Sequence, residues 1–139
     1  MALLARRDFS SAELHARLES RGFPTQLIEE ALAQLRAERV LDDARFAESY
    51  ATGRAARGQG PVRIEAELRA LGVPPELIEA ALAGVADWAA LARSVRARRF
   101  GPSVPDARGL RARQARFLQY RGFSSDHIRL ALGPDLDLD

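Results

Sequence analysis

The sequence predicts an all-α protein made of tandem three-helix repeats that form an elongated, curved array. Two observations support this prediction. No run of alternating β-branched residues is long enough to indicate a strand. The chain also aligns with itself at offsets of 50 and 100 residues, where five positions carry the same residue in all three copies: Leu18/Leu68/Leu118, Gly22/Gly72/Gly122, Ile28/Ile78/Ile128, Ala31/Ala81/Ala131 and Leu32/Leu82/Leu132. Repeats of this kind present an extended surface that suits an elongated partner.

Each repeat contains a helix, a short glycine turn and a second helix. The three copies read RGFPTQLIEEAL (21–32), LGVPPELIEAAL (71–82) and RGFSSDHIRLAL (121–132). Glycine is expected to end the first helix, and the Pro or Ser two residues later to start the next one. Apolar side chains in the second helix follow the spacing of one buried face, namely Leu27, Ile28, Ala31, Leu32 and Leu35 in the first copy and Leu77, Ile78, Ala81, Leu82 and Val85 in the second.

A further helix is expected before each pair. In the middle repeat, Asp42 or Asp43 caps a helix that runs towards Gly58 with Phe46, Ala47, Tyr50 and Ala51 facing inwards. In the last repeat, the capping residue is Asp87 and the helix runs to Arg99, with Trp88, Leu91, Ala92 and Val95 on the apolar stripe.

Only the segment MALLARR (1–7) remains for this helix in the first repeat, so that bundle is expected to be incomplete. The predicted boundaries are 1–41, 42–85 and 86–133 for the three repeats and 134–139 for an acidic tail. The tail sequence DLDLD (135–139) is short and highly charged, so disorder is expected there.

Composition excludes several classes of protein. All 21 basic residues are arginine and no cysteine is present, which removes Walker-type phosphate loops, Schiff-base chemistry and thiolate metal sites. The two histidines, His15 and His127, are isolated in their helical patterns, so neither a metal, a cofactor nor a catalytic residue is expected. The apolar runs are too short for a membrane span, and residues 1–7 show no signal peptide. A cytoplasmic monomer is the expected form.

Positive charge is concentrated in the last third of the chain. Residues 90–134 contain ten arginines and two acidic residues, whereas acids slightly outnumber arginines in residues 1–50 and 51–89. A block this basic attracts nucleic acid or an acidic protein surface. The segment RGQGP (57–61) reads as a turn between two helices, in which Gly58 supplies the helix cap and Pro61 the start of the next helix. Arg54, Arg57 and Arg63, in and around this turn, also leave an anion site open as an alternative.

Four aromatic residues of the last repeat are either core residues or platforms on which bases stack. Trp88 lies on an apolar stripe, and Phe123 follows a glycine turn as Phe23 does, so both are expected in the core. Phe117 and Tyr120 lie beside arginines, and exposure of one of them is expected.

Four segments together resemble one known family. LDDARFAESY (41–50), RGQGPVRIEAEL (57–68), DWAALARSVRARRFG (87–101) and RARQARFLQYRGFSSDHI (111–128) are similar in order and spacing to RecX, the bacterial regulator of the RecA recombinase. The similarity extends from about Ala5 to Leu132, and the departure is a first helix shorter than the family leads one to expect.

The resemblance implies a non-enzymatic protein that binds RecA and the groove of the RecA–single-stranded DNA filament. It would inhibit or tune ATP hydrolysis, strand exchange and co-protease activity in recombination and the SOS response, and direct DNA contact is an open possibility. The expected contact surface consists of nine arginines: Arg54, Arg57, Arg63, Arg98, Arg99, Arg111, Arg113, Arg116 and Arg121. The alternative is a free-standing nucleic-acid-binding helical protein, in which a helix pair such as 63–83 reads duplex DNA.

Overall fold

The computed structural model describes residues 9–85 and 87–138, which form eight helices and no strand. The helices are α1 (Ser11–Ser20), α2 (Thr25–Ala37), α3 (Asp43–Ala56), α4 (Pro61–Ala70), α5 (Pro75–Ala83), α6 (Trp88–Phe100), α7 (Arg108–Tyr120) and α8 (Ser125–Leu132). The all-α prediction is therefore confirmed for these residues. No helix in this part of the chain is long and apolar enough to cross a membrane. The short helix expected in MALLARR lies outside the described residues.

Local sequence signals set where the helices begin and end. Ser10 caps α1 through a capping box with Glu13, and Asp87 caps α6 by accepting from the Ala90 N–H. Asp42 accepts from the Arg45 N–H at the start of α3. The glycines of the four turns all adopt positive φ, as the predicted left-handed caps require: Gly22 (89°), Gly58 (84°), Gly72 (81°) and Gly122 (96°).

The chain folds into two compact units, each with its own apolar core. The first comprises the described residues up to Tyr50 together with Glu67–Gly84, and its core includes Phe9, Leu14, Ile28, Leu32 and Leu41. The second comprises Ala51–Ala66 and the residues from Val85 onwards. Its core is formed by α6, α7, α8 and the tail, and includes Ala92, Val95, Ala115, Leu118, Phe123, Ile128, Leu132 and Leu136.

In both units, a hydrogen bond joins successive repeats at equivalent positions, although the donor groups differ. In the first unit, the Ser10 hydroxyl donates to the Leu71 carbonyl at 2.6 Å. In the second, the N–H of Gly60 donates to the Arg121 carbonyl at 2.8 Å. Ser10 and Gly60 are 50 positions apart, as are Leu71 and Arg121, so the bonded positions recur with the sequence repeat while the donor changes from a side-chain hydroxyl to a backbone N–H. Each unit therefore joins the start of a middle helix in one repeat to the glycine turn of the next.

The prediction of one buried face on every second helix is wrong in part for α2. Ile28 and Leu32 are buried, but Leu27 is 54% exposed and Ala31 is also exposed. In the third repeat, the counterpart Ala131 is buried in the core that α6 and α8 share. No helix among the described residues takes the place of α6 beside α2, so the outer half of its apolar face stays open.

The acidic tail is ordered over residues 135–138, which corrects the expectation of disorder. Leu136 is buried in the core of the second unit, and Leu138 packs against that core. The Gln119 amide donates to the Leu138 carbonyl at 3.1 Å. The tail alternates Asp with Leu, and the leucines supply the apolar burial that a uniformly charged segment lacks. Asp139 lies outside the described residues.

Candidate nucleic-acid interface

Arg96 belongs to the basic block, but its side chain is buried and bonded within the fold. Its side chain is only 2% exposed and points into the loop between α6 and α7. The guanidinium donates to the Gly101 carbonyl at 2.8 Å, the Pro102 carbonyl at 3.1 Å and the Gln114 amide oxygen at 3.1 Å. A buried cation surrounded by acceptors is a structural element. Arg96 therefore contributes nothing to a contact surface.

Arg111, one of the predicted contact residues, is paired with the C-terminal tail. The Arg111 guanidinium donates to both carboxylate oxygens of Asp135, at 2.6 and 2.9 Å, and also to the Leu132 carbonyl at 3.2 Å. This hydrogen bond is the main cause that lowers the pKa of Asp135 to about 2 and raises the pKa of Arg111. Arg108 donates to the Asp135 carbonyl at 2.6 Å, so the same residue holds two arginines.

Three predicted contact residues do come together. Arg98, Arg99 and Arg121 line one cavity of about 280 Å³ with Gly58, Val95 and Phe117. The Cζ atoms of Arg99 and Arg121 lie 5.4 and 5.7 Å from the centroid of the Phe117 ring. The ring of Phe100 meets Phe117 edge-on, with centroids 5.3 Å apart. Stacking and aromatic packing thus hold two guanidinium groups at the cavity wall.

Arg121 also lies across the RGQGP turn. Its Nη2 donates to the Arg57 carbonyl at 3.3 Å. A Cβ atom on Gly58 would stand 3.0 Å from the same Nη2 and 3.2 Å from a methyl of Val95, so a side chain here would displace the arginine. The turn that the sequence predicts is confirmed, because α3 ends before Gly58 and α4 begins at Pro61. It forms one wall of the arginine cavity.

The other predicted contact residues lie outside this cavity. Arg113 and Arg116 are exposed on α7, and Arg57 is exposed in the turn. Arg54 and Arg63 are partly buried and each has an interaction within the chain. The nine arginines therefore do not form one uniform surface, and the cavity is where three of them converge.

The aromatic residues separate as the sequence predicts. Phe123 is buried in the core and Trp88 packs partly against it, while Tyr120 is 81% exposed. Phe117 is half-buried beneath the two arginines. Tyr120 is the most exposed aromatic side chain among the described residues of this repeat.

Sequence reasoning missed the parts that Arg96, Phe117 and Gly58 play at the site. Arg96 lies four residues after Ala92, on the apolar stripe of α6, and this position indicates burial. Phe117 precedes Arg121 by four residues, a helical spacing that places the two side chains on one face. The contact between Gly58 and Arg121 joins residues 63 positions apart, and no local pattern reveals it.

The fold and this cavity define a class of protein, a tandem helical-repeat protein with an arginine-lined cavity in the unit that contains its last repeat. Comparison with known families identifies the family within this class. Residues 1–35, 42–82 and 87–132 match the first, second and third three-helix domains of RecX. The chain belongs to the RecX family.

Individual relatives agree with this assignment. The chain is 46% identical to the regulatory protein RecX of Halorhodospira halophila over 94% of its own length and 82% of that protein. Identity to the Pseudomonas fluorescens protein of the same name is 42%, over 99% of this chain and 90% of the relative. Among solved structures, RecX from Lactobacillus salivarius aligns with a TM-score of 0.82 at 22% identity, covering 94% of this chain and 87% of that one. A second RecX crystal structure gives a TM-score of 0.77 at 24% identity, covering 94% of this chain and 66% of that chain, slightly under two thirds.

Proposed function

We propose that this chain is a non-enzymatic regulator of the RecA recombinase, acting mainly as an inhibitor. It binds RecA and lodges in the groove of the RecA–single-stranded DNA filament. There it modulates ATP hydrolysis, strand exchange and co-protease activity during recombination and the SOS response, as a cytoplasmic monomer. Relatives that carry the name of a regulatory protein support this proposal.

The observation that carries the proposal furthest is the convergence of Arg98, Arg99 and Arg121. The lining of their cavity contains no acidic residue. Two other arginines of this repeat already have partners within the chain. Arg111 pairs with the Asp135 carboxylate, and Arg96 donates to the Gly101 carbonyl in the loop after α6. A cluster of cations with no counter-ion among residues 9–85 and 87–138 suits the phosphates of a DNA filament or an acidic patch on the protein that coats it.

The proposal is tested by the ATPase activity of RecA on single-stranded DNA. The chain is titrated into the reaction either before filaments assemble or after they have formed. Inhibition well below one chain per RecA indicates action on assembly or at filament ends, and inhibition only near one-to-one indicates occupation of the groove. Unchanged ATPase activity at every ratio, under both orders of addition, contradicts the proposal.

The alternative, a reader of duplex DNA, requires a helix that enters the major groove with basic side chains. The second helix of the 63–83 pair is α5, which carries Glu76 and Glu79 on its exposed positions and no arginine. Its negative charge opposes insertion beside phosphates. A duplex affinity that exceeds the affinity for single strands of equal length would favour this alternative over RecA regulation.

A further inference from the structure

We propose that the cavity of Arg98, Arg99 and Arg121 binds one backbone phosphate of a single-stranded nucleic acid, with the neighbouring base stacked on Tyr120. This inference rests on the proposed function, since it assigns a ligand to the surface that would face the filament. It separates the arginines that touch nucleic acid from those that do not.

The charge of the cavity favours an anion. Three arginines line it, and among residues 9–85 and 87–138 no ion pair joins any of them to a carboxylate. Arg121 is held by a bond to the Arg57 carbonyl, yet its Nε is buried and has no acceptor. A buried N–H without a partner is unfavourable, and an anion that enters the cavity supplies acceptors to this arginine.

The number of donors favours phosphate over carboxylate. Elsewhere in the same unit, the Arg111 guanidinium alone donates to both oxygens of the Asp135 carboxylate, and Arg108 Nε lies 3.9 Å from one of them. Three arginines around one space supply more N–H donors than one carboxylate accepts. A phosphodiester has two non-bridging oxygens that share one negative charge and two ester oxygens that accept more weakly, and arginine is well adapted to bind it. A volume of about 280 Å³ is near the lower end of ligand pockets, with room for a phosphate and part of its sugar.

The exposed ring favours a single strand. Tyr120 is 81% exposed and immediately precedes Arg121 in the chain. Unpaired bases stack on exposed aromatic side chains without regard to sequence, whereas bases within a duplex cannot. Phe117 is less suited to this role because Arg99 and Arg121 already lie over its ring. A basic cavity and an exposed aromatic ring one residue away along the chain supply the two kinds of contact that single-strand binders use.

The test is the fluorescence anisotropy of a labelled oligothymidylate, measured without RecA over a series of salt concentrations. The variant is Arg98→Gln/Arg99→Gln. The control is Arg36→Gln/Arg93→Gln, which removes the same charge from exposed positions of α2 and α6 outside the cavity. The double-logarithmic slope of affinity against salt should fall in magnitude by about 0.7 in the variant, the value for one phosphate on a single strand, and stay unchanged in the control.

Tyr120→Ala provides an independent readout. Loss of stacking should weaken binding at every salt concentration and leave the salt slope unchanged, because the contact carries no charge. The proposal is overturned by a wild-type slope in Arg98→Gln/Arg99→Gln or by an equal loss in the control. It is also overturned if a polyglutamate peptide, rather than the oligonucleotide, loses affinity when the cavity arginines are replaced.

These outcomes separate this inference from the proposed function. Full RecA inhibition by a chain whose oligonucleotide binding ignores the cavity arginines would refute the phosphate site and leave RecA regulation standing. Binding that depends on the cavity, without any effect on RecA, would do the reverse.

Discussion

At the scale of single residues, Gly60 shows how closely two repeats approach. A Cβ atom at this position would lie 2.4 Å from the Gly122 carbonyl carbon and oxygen and from the Phe123 nitrogen. These are backbone atoms, and the hydrogen bond between the Gly60 N–H and the Arg121 carbonyl holds them in place. No side chain fits between the turn 57–60 and the turn that follows α7.

Gly60→Ala should therefore destabilise the protein by about 1–3 kcal/mol, the usual cost of forcing an extra group into a packed site. The matched control is Gly53→Ala, since Gly53 lies within α3 and a Cβ there meets nothing within 4 Å. That change should stabilise by about 0.5–1 kcal/mol, because alanine favours the helix. Urea denaturation measures both. Equal effects of the two substitutions would contradict the close contact at Gly60.

Arg96 provides a second residue-scale prediction. Replacing it with Met keeps much of the volume but leaves the carbonyls of Gly101 and Pro102 and the Gln114 amide without their donor. We expect a loss of about 2–3 kcal/mol in the free energy of unfolding. We also expect faster amide exchange in the loop after α6. Arg93→Met, on the exposed side of the same helix, should change neither quantity. A variant of Arg96 as stable as this control would contradict its structural role.

At the scale of elements, the C-terminal tail packs on α7 and α8 and is bonded to both helices. Leu136 is buried in the core, its carbonyl accepts from Arg129 Nε at 3.1 Å, and Asp135 pairs with Arg111. The folded state lowers the pKa of Asp135 to about 2 from the ordinary value of 3.8. Because the folded pKa is the lower one, the pairing stabilises the fold above the unfolded pKa. That stabilisation is lost as the pH falls through the folded pKa.

A pH titration of the Asp135 carboxyl by NMR tests the pairing of the tail with Arg111. In the wild-type chain its midpoint should lie near 2, and in Arg111→Gln it should rise towards 3.8 as the main hydrogen bond is removed. The stability difference between these two chains should be constant from neutral pH to about pH 5 and should shrink below it. A wild-type midpoint near 3.8 would mean that the tail does not pair with Arg111.

The elements that the sequence predicted best are those with local signals. Asp87 and the glycine turns mark helix ends by chemistry that acts within one turn of the chain, and the structure places the ends there. The burial of Leu27 was predicted wrongly because burial depends on which helix covers the residue. The order of the tail was missed because two leucines in a charged segment are too few to predict docking without knowledge of the groove that receives them.

The sequence predicted the region of the candidate site but not which arginines of that region belong to it. Clustering of arginine in residues 90–134 indicated an anion-binding repeat, yet charge counting treats Arg96, Arg111 and Arg121 alike. The first is buried and the second paired with the tail, while the third lines the cavity. These differences arise from contacts between distant segments, such as the bond between Arg121 and the Arg57 carbonyl, which periodicity does not encode.

At the scale of the whole molecule, one feature distinguishes the third repeat from the other two. Arginines and acids nearly balance over residues 1–89, and the positive charge is concentrated in residues 90–134. The glycine turn 57–60 belongs to the same compact unit as these arginines, and Arg121 donates to the Arg57 carbonyl in that turn. We infer that regulation of RecA depends on this unit, and that its binding weakens steeply as salt concentration rises.

The most direct test of this claim is the RecA ATPase activity on single-stranded DNA with Arg98→Glu/Arg99→Glu in place of the wild-type chain. Arg36→Glu/Arg93→Glu changes the net charge equally at exposed positions away from the cavity and serves as the control. The cavity variant should need at least about tenfold more protein for half-maximal inhibition, equivalent to about 1.4 kcal/mol of binding free energy, while the control inhibits like the wild type. Inhibition by the cavity variant at wild-type concentrations would contradict the account.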